Sequence, residues 1–105
     1  MTDSQAQLEF LAAGEGEPAT VRAAGDIDLT NVGQFQAALD QAAAAGDVTA
    51  DMTAVTYCDS ATIRALFLVA RRARLTVRVS TAGPLTETLL KVSGLDQIAT
   101  VITLD

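Results

Sequence analysis

The feature that most constrains this chain is an alternation. From Ala19 onward, short β-patterned runs take turns with stretches whose apolar residues recur every three or four positions. That pattern predicts helices packed on a predominantly parallel sheet. Ahead of it, Ala6, Leu8, Phe10 and Ala12 alternate with Gln7, Glu9 and Leu11, as in a half-buried strand. Gly14-Glu15-Gly16-Glu17-Pro18 reads as a turn, and a second strand over Ala19 to Ala24 closes a hairpin. Gly25-Asp26-Ile27-Asp28-Leu29 reads as a connecting loop. A helix follows from about Val32 to Ala45, with Val32, Phe35, Leu39 and Ala42 as its core stripe. Asn31 with Gln34 resembles a capping box, Thr30 is the competing cap, and Gly46 is the stop.

The segment Asp51-Met52-Thr53-Ala54-Val55-Thr56-Tyr57-Cys58-Asp59-Ser60-Ala61-Thr62-Ile63 carries most of the functional information. It reads as the end of a short strand over Val48 to Met52, a short turn, and a helix opening on Asp59-Ser60. That helix extends to about Arg72 or Ala73. A serine hydroxyl at its start would sit exposed at the positive end of the helix dipole, where free backbone N–H groups can hold a phosphate. Ser60 could equally be a plain helix cap. Asp59 competes for that role, which would free the Ser60 hydroxyl.

Leu75 to Ser80 alternates as a half-buried strand. Gly83-Pro84 starts a third helix, with Leu85, Leu89 and Val92 as its stripe and Lys91 and Gly94 as stop signals. Ile98 to Leu104 is a last strand. The order is ββαβαβαβ in a single α/β domain spanning residues 1–105, a mixed but mostly parallel sheet. Right-handed crossovers gather the strand-to-helix loops along one sheet edge. That edge would hold Asp26, Asp28, Asp59, Ser60 and the Ser80-Thr81-Ala82-Gly83 loop.

The charge balance narrows the partners. Thirteen acids against seven bases give a net charge of −6. A nucleic-acid partner would need a basic patch to neutralise phosphates, so none is expected. Arg71-Arg72-Ala73-Arg74 is short and suits a solvated helix C-terminus. Cys58 is the only cysteine, which excludes an intramolecular disulfide, and it reads as a small core residue. The N-terminus lacks the basic and apolar regions of a signal peptide, and no apolar run approaches a membrane span. The expectation is a cytoplasmic protein with no direct membrane insertion.

Catalysis has little support. There is no histidine, so the usual general base is missing. No Gly-rich phosphate loop and no Cys/His constellation occur. No catalytic residue, metal or cofactor is expected. On a helical wheel, Ile63, Leu66, Phe67, Val69, Ala70 and Ala73 form the inward arc of the second helix. Leu68 falls opposite, beside Ala61, Ala65, Arg64 and Arg72. An isolated exposed Leu usually needs no explanation. Here it shares a helix with Ser60, which makes it a docking point on that face.

Several motifs resemble the STAS domains of bacterial anti-sigma factor antagonists. Gly25-Asp26-Ile27-Asp28 is similar to their Gly-Glu-Leu-Asp element. Asp51-Met52-Thr53 with Val55, Tyr57 and Cys58 resembles Asp-Leu-Ser…Val-x-Phe-Ile/Met. Asp59-Ser60 resembles the pair that carries the phosphorylated serine. Gly83-Pro84 and Ser93-Gly94-Leu95 resemble the elements around the last helix. The resemblance implies a STAS-like fold and a non-enzymatic, phosphorylation-switched interaction module acting in transcription regulation. Its partner would be an anti-sigma factor serine kinase, with a weak homodimer as a further association.

By the same resemblance, Ser60 is the phosphoacceptor. Asp26, Asp28, Asp59, Ser60, Ala61, Thr62, Arg64, Leu68 and Gly83 form the partner surface. Asp26 and Asp28 could also be ordinary loop acids. Asp51 reads as a structural strand-end residue, and Thr62 as a fallback phosphoacceptor. One departure stands out. The family commonly reads Asp-Ser-Ser-Gly at the helix start, where this chain has Asp59-Ser60-Ala61-Thr62. That change favours the alternative function, a STAS scaffold subunit without a phosphate cycle, such as a cytoplasmic subunit of a lipid-transport ABC system.

Overall fold

The structure, a computed structural model, describes residues 7–11, 18–80 and 94–104. Strand β1 (Gln7–Leu11) and strand β2 (Ala19–Ile27) pair antiparallel, as a hairpin should. Helix α1 (Val32–Ala44) leads to strand β3 (Val48–Cys58), and helix α2 (Ser60–Ala70) to strand β4 (Leu75–Ser80). A 3-10 turn (Leu95–Gln97) precedes strand β5 (Thr100–Leu104). The sheet order is β1-β2-β3-β4-β5, with every pairing after the hairpin parallel. The expected third helix, with its Gly83-Pro84 start, lies outside the described residues.

The core follows from two periodicities. In β2, Ala19, Val21 and Ala23 are buried, and in β4, Leu75, Val77 and Val79 are buried. Those side chains form one sheet face. Phe35, Leu39 and Ala42 of α1 and Ile63, Leu66 and Val69 of α2 cover it. α2 also packs against α1. Ala65, which the helical wheel placed on the outer arc, is also buried. A single inward arc underestimates a helix that touches both a sheet and a neighbouring helix.

Two strands are longer than their local sequence suggests. β3 was expected to end at Met52, with a turn over the following residues. It runs instead to Cys58. The register of β2 against β3 shifts between Arg22 and Ala24, and again between Gly25 and Asp26. At each shift β3 contributes an extra residue, so the side chains that face the core change phase. Ala50 before the first shift, Met52 within it and Val55 after it are all buried. The broken alternation imitates a turn. β2 likewise continues through Gly25 to Ile27. Gly25 takes φ +88° at the second shift, a conformation that costs glycine little.

Register also aligns two rows on the opposite sheet face. Thr20, Thr49, Thr76 and Thr100 stand side by side across β2, β3, β4 and β5. Next to them, Glu9, Arg22, Asp51 and Arg78 form a row of alternating charge. Arg22 reaches both neighbouring acids, at 3.1 Å to Glu9 and 3.4 Å to Asp51. Asp51 is only 7% exposed and also accepts the Thr53 hydroxyl at 2.7 Å. Burial pushes its pKa up. The Thr53 hydroxyl and N–H, the charge of Arg78 and the Arg22 hydrogen bond outweigh that, and the net shift is downward. The reading of Asp51 as structural fits this position, though it lies inside a strand rather than at its end. The last strand begins later than expected because Ile98 ends the 3-10 turn, and buried Leu95 anchors that turn.

Candidate functional site

The parallel β2–β3 pair outruns the rest of the sheet. The last β3–β4 pairing is Asp51 with Arg78, whereas β3 stays paired with β2 as far as Ile27 with Cys58. The two strand ends therefore deliver Asp26, Asp28, Asp59 and Ser60 to one edge, as the crossover argument predicts. β4 ends at Ser80, two positions past its last β3 partner. The continuation through Gly83 lies outside the described residues.

The chain enters α1 through a closed hydrogen-bond network. The Asp28 carboxylate accepts the N–H and the hydroxyl of Thr30. Asn31 occupies the N-cap position, but its side chain makes no cap. It reaches back instead, accepting from the Asp28 N–H at 2.9 Å and donating to the Asp26 carbonyl at 2.9 Å. The capping-box expectation for Asn31 and Gln34 is thus corrected: two strand-end backbone groups claim the amide. The Thr30 hydroxyl, followed by its N–H, pulls the Asp28 pKa below the ordinary carboxylate range. Asp26 accepts the Thr56 hydroxyl from β3.

α2 starts differently. Asp59 is a true side-chain cap in extended conformation, accepting from the Ala61 N–H at 3.0 Å and the Thr62 N–H at 3.3 Å. This satisfies two of the orphan donors at the helix start. The Thr62 side chain turns inward, is fully buried, and donates to the Ile27 carbonyl at 3.3 Å. Thr62 is therefore a tie between α2 and the end of β2. Its hydroxyl lies out of reach of a docking partner, which removes it from the contact set and from the fallback phosphoacceptor role. Ser60 points outward and is exposed. Of the Ser and Thr hydroxyls at this edge, those of Thr30, Thr56 and Thr62 are engaged. That of Ser60 has no hydrogen-bond partner among the described residues.

Along α2, Arg64 and Leu68 face outward, with Leu68 41% exposed. Ala61 is half-buried. Sequence reasoning missed the Thr56–Asp26 and Thr62–Ile27 links, because each joins residues some thirty positions apart. It also missed the exposure of Ile98. Among the described residues no cluster of His, Cys, Asp or Glu could hold a metal ion, and no helix is long and apolar enough to cross a membrane.

A five-stranded mixed sheet with this order of strands and helices has the fold of a STAS-type α/β domain. A family model described as "Mlab, STAS domain" matches residues 10–103, so the chain belongs to that family. Among solved structures, it is similar to an anti-sigma factor antagonist from Mycobacterium paratuberculosis. The TM-score is 0.83 at 17% identity, covering 96% of this chain and 88% of that one. It is also similar to the anti-sigma factor antagonist SpoIIAA in its unphosphorylated form. There the TM-score is 0.71 at 19% identity, covering 94% of this chain and 89% of that one. Among curated proteins no relative matches.

Proposed function

We propose that this chain is an anti-sigma factor antagonist that acts by binding rather than by catalysis. Its unphosphorylated form docks on an anti-sigma factor serine kinase in the cytoplasm and so releases a sigma factor. Phosphorylation of Ser60 by that partner ends the interaction. The observation that carries this reading is the selective freedom of Ser60 among the hydroxyls of its edge. Family membership and the shared fold of two anti-sigma factor antagonists support it.

The switch is electrostatic. A phosphoserine adds about −1.5 to −2 charges near neutral pH. The α2 N-terminus offsets part of that charge, but Asp59 already occupies two of its N–H donors. Asp28 stays ionised because its neighbours hold its pKa down. The added charge would leave the core intact and make repulsive a docking surface already flanked by Asp26, Asp28 and Asp59. Incubation with the cognate kinase and ATP should add one phosphate, which Ser60→Ala abolishes. Mass spectrometry that places the phosphate on Thr62 or Thr53 would defeat the assignment.

A second reading is a STAS scaffold subunit of a lipid-transport ABC system, with no phosphate cycle. The "Mlab" in the family description and the Ala61-Thr62 departure favour it. Co-purification with a transport ATPase, undisturbed by Ser60→Asp, would select it over the first.

A further inference from the structure

The outer side of α2 borders a groove of about 550 Å³ lined by Arg64, Phe67, Leu68, Ala70, Arg71 and Ile98. Its floor is apolar, and its large side chains are not fully buried: Leu68 is 41% and Ile98 48% exposed, with Phe67 half-buried. Arg64 and Arg71 sit at its two ends, about 10 Å apart along the helix axis. A smaller hollow of about 390 Å³ adjoins it across Ile98 and adds Arg74 to the rim.

The charges are the informative part. The chain carries a net charge of −6. Arg22 and Arg72 are committed to Glu9, Asp51 and Asp40. Arg64, Arg71 and Arg74 have no ion pair among the described residues. Three guanidinium groups with no ion pair among the described residues therefore frame an apolar groove and the polar hollow beside it, on an otherwise acidic protein. Guanidinium forks suit carboxylates in two-pronged geometry, and an apolar floor suits aliphatic anchors.

We propose that this groove docks an acidic amphipathic helix of a partner protein. Two adjacent aliphatic residues would seat between Phe67, Leu68 and Ile98. Carboxylates one to two turns away on each side would meet Arg64 and Arg71, which matches the anchor spacing of a helix lying in a groove. The proposal extends the partner surface read around Ser60, because Arg64 lies one turn after Ser60 on the same face of α2.

Selection of helix-forming peptides of about four turns from a display library, against the full chain, tests the proposal. Enriched peptides should be net acidic with a paired aliphatic anchor, and their affinity should fall as salt is raised. Ile98→Asp and the double change Arg64→Glu, Arg71→Glu should each weaken the selected peptides by about tenfold or more. Glu9→Gln, on the opposite sheet face, should bind them as wild type does. Thermal melts of each variant separate lost contact from lost fold, and Arg71→Ala supplies a milder second test. Enrichment of neutral or basic peptides, no enrichment, or affinity unmoved by Ile98→Asp in a folded variant would overturn it. So would a long-chain fatty acid that occupies the groove where acidic peptides do not.

Discussion

The entrances of α1 and α2 occupy equivalent places. Each follows the C-terminal end of one of two neighbouring parallel strands, and each begins with an acid and a hydroxyl residue. They are wired in opposite ways. At α1, Asp28, Thr30 and Asn31 bond to one another and to the end of β2, so the entrance is closed on itself. At α2, Asp59 caps the helix alone, Thr62 ties it to Ile27, and Ser60 is left outside. Capping by the acid therefore leaves a neighbouring hydroxyl free for chemistry, which is lost when the acid takes that hydroxyl for itself.

The sharpest way to break this comparison is within α2. Thr62→Asp should cost about 3 kcal/mol or more, because it buries a carboxylate against the Ile27 carbonyl in place of a hydroxyl that donates to it. Ser60→Asp, two residues earlier, should stay within about 0.5 kcal/mol of wild type in a denaturant melt. Equal losses at the two positions would mean that the inward and outward assignments are wrong.

Asn31→Ala tests the closed entrance. It removes two hydrogen bonds and leaves the Asp28 N–H and Asp26 carbonyl without their partner, for a loss of about 2 kcal/mol. Asp59→Ala should cost less, about 1 kcal/mol, as the loss of a single cap. If Asp59→Ala proves the more damaging, α2 depends on its cap more than α1 depends on its network.

The smallest effect is in pH. The folded pKa of Asp51 lies below its ordinary value, and so does that of Asp28. Their contribution is present above the unfolded pKa of about 3.9 and is lost as pH falls through the folded value. Asp51→Asn should flatten the acid limb of a stability–pH curve. An acid limb unchanged in Asp51→Asn would place the titrating groups elsewhere, with Asp28→Asn as the next variant to measure.

Much of the fold was legible because period and punctuation agree over most of the chain. β4 matches its alternation residue for residue, and α1 starts where its stripe starts. The Asp59-Ser60 pair offered two rival caps, and the structure gives the role to Asp59. The misses share one cause, contacts made across the sheet. β3 looked like a turn because register shifts against β2 change its inward phase. Asn31 looked like a cap because nothing local shows that the end of β2 needs its amide. Thr62 looked like surface because its acceptor, Ile27, is distant in sequence.

The charged row across the sheet has a consequence for how the strands find their register. Alternation of inward and outward residues penalises a slip of one position, since every side chain would change face. A slip of two leaves the faces unchanged, and apolar patterning alone hardly resists it. The row does. Moving β2 by two against β3 would set Arg22 beside Thr49 or Thr53 and would leave buried Asp51 facing Thr20 or Ala24. A carboxylate in that position would keep Arg78 but lose Arg22, one of the two cations that offset its burial. Glu9, Arg22, Asp51 and Arg78 thus act as a key that admits one alignment of the strands.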